Sequence, residues 1–136
     1  MVQSSINFLC DEHFSPVLIQ ILRHVGEKRI LHFSSNFENG TPDQVWIPEA
    51  AKRDHVCITY DRKMLINETI APLFAENGAR VIFIGSHLAN IKLREQAIWL
   101  LKYWPKIKEH AANMKPGDLV KIHKNSRIVP VTPILE

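Results

Sequence analysis

The sequence predicts an α/β fold of three layers, in which helices cover both faces of a mainly parallel sheet and a β-hairpin ends the chain. Short apolar runs alternate with amphipathic stretches, which is typical of strand–helix–strand units with right-handed crossovers. Near the C-terminus, two apolar segments flank a short polar turn and indicate the hairpin. With 136 residues, no internal repeat and no long linker, the chain predicts a single domain over 1–136.

The strands are predicted from apolar, β-branched runs bounded by polar residues. The last two are expected to form the hairpin and to join one edge of the sheet as antiparallel strands. The predicted strands are 6–10, 29–33, 56–60, 81–85, 119–123 and 128–131.

The helices are predicted from capping residues and helical spacing of apolar residues. Ser15-Pro16 begins the first helix and Gly26 ends it. The second begins near residue 41, with Gln44 placed for a capping box and Pro48 expected to kink or restart it. A third is expected over 67–77. The longest, 92–113, is expected to bury Leu93, Ala97, Leu100, Leu101 and Trp104.

The composition is that of a packed globular domain, with 46% hydrophobic and 23% charged residues. Cys10 and Cys57 each lie within an apolar run, which favours buried thiols in a reducing compartment over a disulfide. The sequence has no apolar stretch of the ~18–20 residues that a membrane span needs, and no basic region followed by an apolar one. We therefore expect a cytoplasmic protein. The net charge of +3 suits an anionic partner but does not identify one.

Acidic residues follow two of the predicted strands and begin one helix. Asp11 and Glu12 come directly after the first strand, and Asp61 follows the third. Asp43 lies in the first turn of the helix that leads into the third strand. Because ligands bind beyond the carboxyl ends of parallel strands, we expect these acids to converge there.

Converging carboxylates repel one another, and a hard cation relieves that repulsion. Mg²⁺ or Mn²⁺ takes oxygen ligands, lowers the pKa of an attacking water and stabilises charge on a phosphate. Taken singly, each acid fits a helix cap or a solvated surface residue equally well. Taken together, the acids favour a metal site.

Three segments in order resemble the core of PIN-like domains. Residues 43–51 open a helix with an acid, residues 56–62 form a strand ending in Thr-x-Asp, and residues 8–12 match the family's first strand and aspartate. Trp46-Ile47-Pro48 and Trp104-Pro105 resemble the short VapC-type toxin branch. The PIN-like RNase domain of Mut-seven proteins is similar too. The resemblance extends from Asn7 to about His123.

The resemblance implies a PIN-like fold whose catalytic, metal-binding acids are Asp11, Asp43 and Asp61. It implies an endoribonuclease that uses Mg²⁺ or Mn²⁺ to hydrolyse single-stranded or structured RNA. Such proteins are often toxins neutralised by an antitoxin, and they often form homodimers. Fuller PIN domains place another acid before the Asp43 segment; here Glu12 is better placed than Glu38 to replace it.

Residues next to Asp61 are candidates for supporting roles. Thr59 is expected to hydrogen-bond a carboxylate of the site. Arg62 and Lys63 are expected to hold a substrate phosphate, with a solvated loop as the equal alternative.

Two other functions remain open from the sequence. In a receiver-like signalling domain, Asp61 would accept a phosphate, Asp11 and Glu12 would bind an ion, and Ser86 would be the residue expected after the fourth strand. That interpretation leaves Asp43 unexplained. It also needs a Lys after a fifth parallel strand, whereas Lys124 is expected in a hairpin turn. The second alternative is a PIN-like protein that binds nucleic acid or a partner without cutting.

Overall fold

A six-stranded sheet forms the centre of the molecule in a computed structural model that describes residues 6–133. The strand order is β2-β1-β3-β4-β5-β6. The first five strands are parallel to their neighbours, and β6 is antiparallel to β5. In chain order the strands are β1 (Asn7–Cys10), β2 (Ile30–His32), β3 (His55–Thr59), β4 (Arg80–Ile84), β5 (Leu119–Ile122) and β6 (Ile128–Pro130).

Helices cover both faces of this sheet, which confirms the predicted three-layer α/β fold. One core joins the sheet to α1 and α5, and the other joins it to α2 and α3. The α-helices are α1 (Pro16–His24), α2 (Asp43–Lys52), α3 (Ala71–Asn77), α4 (Ser86–Ala89) and α5 (Leu93–Ala112). Two 3₁₀ helices, Phe33–Ser35 and Arg62–Ile66, follow β2 and β3.

The hairpin prediction is correct for β6 and wrong for β5. Strand β5 pairs parallel with β4, with Phe83 opposite Lys121, so β6 alone runs antiparallel. A parallel connection needs a crossover of a dozen or more residues, and the 20-residue α5 supplies it. The sheet therefore has a fifth parallel strand whose carboxyl end lies at the same edge as those of β1 and β3.

The start of α2 differs from the prediction. Pro42 is the N-cap and makes no side-chain cap hydrogen bond, so the capping box expected of Gln44 does not form. Pro48 lies inside α2 without ending it. Trp46, Ile47 and Ala50 are buried on both sides of Pro48, and this packing offsets the loss of one backbone donor.

Helix α3 begins four residues later than predicted. Helix α3 begins at Ala71 because the side chain of Asn67 accepts the backbone N–H groups of Thr69 and Ile70 and forms a turn there. Its predicted end is confirmed, since Gly78 adopts a left-handed φ of 63°.

The apolar face of α5 is also only partly as predicted. Leu93 and Leu101 are exposed, at 39% and 38%. The buried row contains residues spaced three or four apart, which is the spacing of one helix face. Its members are Leu100, Trp104, Ile107 and Ala111.

Both cysteines are unpaired and buried, as the sequence predicts. Within residues 6–133, no helix is both long enough and apolar enough to cross a membrane.

A carboxylate between α1 and β2 ties this part of the chain to α5. Glu27 accepts hydrogen bonds from the indole of Trp104 and from the ammonium of Lys108, both at 2.9 Å. Burial favours a higher pKa for Glu27, but these donors outweigh it and lower the pKa below its ordinary value of 4.5.

We predict that Glu27→Ala lowers the free energy of unfolding at neutral pH by about 1–3 kcal/mol, because the indole N–H loses its acceptor. Since the pKa of Glu27 is lowered in the folded state, its contribution is present above 4.5 and is lost as the pH falls. Urea unfolding at several pH values measures both effects, with the exposed Glu109→Ala on α5 as control. A wild-type advantage that grows on acidification contradicts this account.

Candidate active site

Four acidic side chains line one small pocket of about 20 Å³ at the carboxyl ends of β1 and β3. They come from three separate segments of the chain, as the sequence predicts. We call this the carboxylate pocket. Its lining residues are Asp11, Glu12, His13, Phe33, Asp43, Trp46, Asp61 and Met64.

Strand pairing explains why the acids meet. Strands β1 and β3 are parallel neighbours with Cys10 opposite Ile58, so the residues that follow them lie side by side. The backbone N–H of Asp11 donates to the carbonyl of Ile58 at 3.1 Å. Helix α2 leads into β3 and packs beside it, so Asp43 at its first position lies at the same edge of the sheet.

Asp11 is the most buried of these acids, at 6% exposure. One oxygen accepts the Thr59 hydroxyl, and the other accepts the backbone N–H of His13 at 3.1 Å. Burial raises the pKa of Asp11, and the negative charge of Asp61 raises it further. The hydrogen bond from Thr59 opposes both effects.

Thr59 joins Asp11 to Asp61. Its hydroxyl is fully buried, donates to Asp11 and accepts the backbone N–H of Asp61 at 2.9 Å. Thr59 therefore fixes the spacing between the two aspartates. The carboxylate that it binds belongs to Asp11, across the β1–β3 pair, although Asp61 is nearer in sequence.

The other acids are each held through one oxygen. Asp43 accepts the Trp46 indole N–H at 2.7 Å, and Asp61 accepts the backbone N–H of Lys63 at 3.0 Å. Glu12 accepts the backbone N–H of Gly40 at 3.2 Å.

Within residues 6–133, the other carboxylate oxygen of each of these three acids makes no hydrogen bond, and all three residues are partly exposed. Glu38 is exposed and is not among the residues that line the pocket. Of the two candidates for a fourth acid, Glu12 therefore lies in the pocket.

The side chains of the pocket suit a hard divalent cation, because most of their polar atoms are carboxylate oxygens. In the part of the chain that the structure describes, no three His, Cys, Asp or Glu side chains are close enough to hold one ion together. Mg²⁺ commonly uses one or two carboxylates and retains several waters. Asp11 and Asp61, which repel one another, are the pair whose charge a cation would neutralise.

A larger cleft of about 670 Å³ adjoins the carboxylate pocket through Asp61. We call it the cationic cleft because Arg62, Lys63 and Lys121 line it. Arg62 and Lys63 are exposed on the 3₁₀ helix that Asp61 caps. Sequence reasoning missed Lys121, since it placed β5 as an antiparallel addition, away from the carboxyl ends of the parallel strands.

Comparison with known families agrees with this geometry. A sequence model described as a PIN-like domain matches residues 6–86, more than half of the chain. The protein belongs to the PIN-like family. The match contains β1 to β4 and all four acids of the pocket, and it ends before α5 and the hairpin. No curated protein and no solved structure matches the chain.

Membership of the PIN-like family supports a nuclease-type fold that typically uses divalent metals. It does not distinguish the VapC-type branch from other PIN-like domains. The match stops at Ser86, whereas the resemblance seen in the sequence extends to about His123.

The receiver-like alternative is not favoured, although the order β2-β1-β3-β4-β5 also occurs in flavodoxin-like and receiver folds. Strand β5 is a fifth parallel strand, contrary to the sequence prediction, and Lys124 lies in the hairpin turn that follows it, as predicted. However, it lines a separate surface cleft with His123, Asn125 and Arg127, away from the acids. Asp43, which a receiver leaves unused, lines the carboxylate pocket.

We predict that Thr59→Val raises the pKa of Asp11 further, because valine cannot donate the hydrogen bond that stabilises the ionised carboxylate. Thr59→Ser keeps the hydroxyl and is expected to leave the pKa near its wild-type value. Carbon-13 NMR titration of the Asp11 carboxyl group in EDTA measures the difference. Equal Asp11 pKa values in the two variants would show that the Thr59 contact is unimportant.

Proposed function

We propose that this PIN-like protein is a Mg²⁺- or Mn²⁺-dependent endoribonuclease that hydrolyses phosphodiester bonds in single-stranded or structured RNA. The observation that carries the proposal is the meeting of Asp11, Glu12, Asp43 and Asp61 in one pocket beside a cationic cleft. An anionic pocket alone would repel RNA, and a cationic surface alone would bind it without reaction. Because the carboxylate pocket and the cationic cleft meet at Asp61, a phosphate held by the cations would lie next to a metal held by the carboxylates.

The proposed metal ligands are Asp11 and Asp61, with Asp43 and Glu12 acting through bound water. When bound, the ion would activate a water and stabilise negative charge on the phosphate. Asp11 is held in place by Thr59 and His13, which preorganises it before substrate arrives. The oxygens of Asp43 and Glu12 that make no hydrogen bond within the described residues are the groups that would orient the attacking water.

Positive charge beside Asp61 would hold the substrate. The exposed side chains of Arg62 and Lys63 follow Asp61 directly, so a phosphate that they bind lies next to the carboxylates. After cleavage, the same cations would stabilise the phosphate of the product.

We further propose that the protein is the toxin of a toxin–antitoxin pair. This proposal rests on the resemblance of Trp46-Ile47-Pro48 and Trp104-Pro105 to VapC-type toxins. An antitoxin or a second copy of the chain would require an apolar contact surface. Exposed Leu93, Ile98 and Leu101 on α5 supply such side chains. The free cysteines support the proposal of a cytoplasmic location.

We predict that the protein cleaves single-stranded RNA in Mg²⁺ or Mn²⁺ and that Asp61→Asn lowers the rate on the order of 100-fold or more. Asparagine preserves the shape of the side chain but removes the charge that would bind the cation. Gel analysis of a labelled RNA measures the rate. The control is Asp118→Asn, which removes an exposed carboxylate before β5.

Two results would contradict the proposed chemistry. One is cleavage that persists in EDTA, and the other is cleavage that Asp61→Asn leaves unchanged in a folded protein.

We predict that Asp43→Ala also lowers RNA cleavage strongly, because Asp43 lines the pocket with Asp11 and Asp61. A second experiment, phosphorylation by a small donor molecule, tests the receiver-like alternative. Incubation with a small phosphodonor should leave the protein unmodified by mass spectrometry. A base-labile phosphate on Asp61, together with full activity of Asp43→Ala in any phosphotransfer assay, would favour the receiver instead.

A further inference from the structure

The cationic side of the site continues beyond Arg62 and Lys63, along the carboxyl edge of the sheet. In the register of the sheet, Thr59 lies opposite Phe83, and Phe83 lies opposite Lys121. Neighbouring strands are about 4.8 Å apart, so Lys121 lies roughly 10 Å from the strand that ends at the acids. Lys121 therefore lines the cationic cleft together with Arg62 and Lys63.

Basic side chains continue past Lys121 toward the β5–β6 turn. His123 and Lys124 follow β5, and Arg127 precedes β6 across the turn. The pKa of His123 is lowered, first by desolvation and then by the positive charges of Lys121, Arg127 and Arg62. The pKa of Lys121 is lowered likewise, by desolvation and by Arg62. Arg62, Lys121 and Arg127 are therefore close enough to His123 to disfavour its protonation.

We call this series the basic band; its members are Arg62, Lys63, Lys121, His123, Lys124 and Arg127. Asp61 is the one carboxylate among the described residues that line its two clefts. Mutually repelling cations are stabilised by an anionic ligand that lies along them. A polyanion meets that requirement over the whole length of the band.

The walls of the cationic cleft are apolar between its charges. Leu65, Ile66 and Val131 line it with Phe83, and Ile66 is 60% exposed. Such a surface suits the face of an unpaired base, which in a duplex is stacked and hidden. At the far end of the band, the half-buried Trp99 donates from its indole to the Lys124 carbonyl at 2.9 Å and packs against Tyr103.

We propose that a single RNA strand lies along the basic band, with the nucleotide next to the cleaved phosphate in the cationic cleft and the following nucleotides crossing β5 to the β5–β6 turn. This inference rests on the proposed function and adds to it the path of the substrate. It assigns phosphate contacts to Lys121 and Arg127, which lie outside the segment that the family comparison matches.

Binding of a fluorescein-labelled oligouridylate of about ten nucleotides, a length that single-strand grooves commonly accommodate, tests this path. Anisotropy is measured in EDTA, which separates binding from metal-dependent cleavage. For single strands, the slope of log affinity against log salt is about −0.7 for each phosphate neutralised. Lys121→Met and Arg127→Gln should each weaken binding and reduce the slope by about 0.7.

The matched control is Lys115→Met, which removes an exposed charge from the opposite, amino edge of β5. Its affinity and salt slope are expected to equal those of the wild type. Methionine at 121 retains the apolar stem of lysine, and equal melting temperatures establish that the variants are folded. An oligonucleotide containing 4-thiouridine should crosslink to peptides covering 60–66 and 121–127.

Several outcomes would overturn the proposed path. They are unchanged binding by Lys121→Met and Arg127→Gln, an equal loss in Lys115→Met, and equally strong competition by an RNA duplex. The path and the nuclease activity can fail separately. Band-dependent binding without any cleavage by the wild type would reject the nuclease, whereas cleavage with unaltered binding by the band variants would reject the path.

Discussion

Placing several negative charges at one edge of the sheet is the constraint on which the rest of the site depends. Asp11 is nearly buried beside Asp61, and both burial and that neighbouring charge raise its pKa. An ionised carboxylate in such a position is costly unless donors stabilise it. Thr59 and the backbone of His13 supply them; the parallel β1–β3 pair places Thr59, and the turn after β1 places the N–H of His13. The fold thus retains a strained charge arrangement that is useful for binding a cation.

The parts of the fold that were predictable are those with strong local signals. The strands before Asp11 and Asp61 are buried β-branched and apolar runs, and the helix ends at Ser15 and Gly78 have standard capping residues. These signals also placed the acids, because residues after parallel strands share one edge. The membership of Asp43 in the pocket followed from its position at the start of the helix before β3.

The parts that were not predictable depend on tertiary pairing. The sequence of β5 and β6 indicates a hairpin, but it does not specify that β5 also pairs parallel with β4. Because of that pairing, Lys121 lies near the carboxyl ends of the parallel strands, and Lys124 follows a parallel strand. Similarly, α5 carries more apolar residues than its buried face needs, so periodicity alone assigned Leu93 and Leu101 to the core although both are exposed.

The segment that matches the PIN-like family and the segment after it contribute different groups to the proposed site. The segment that matches the PIN-like family contains the carboxylates, Thr59 and the first two cations, which are the groups needed for metal-assisted phosphodiester chemistry. The segment beyond the match contributes α5, β5 and β6, and with them Lys121 and Arg127. Phosphate contacts position a nucleic acid without reading its bases. The placement of the proposed substrate can therefore change through the last third of the chain while the proposed catalytic groups stay the same.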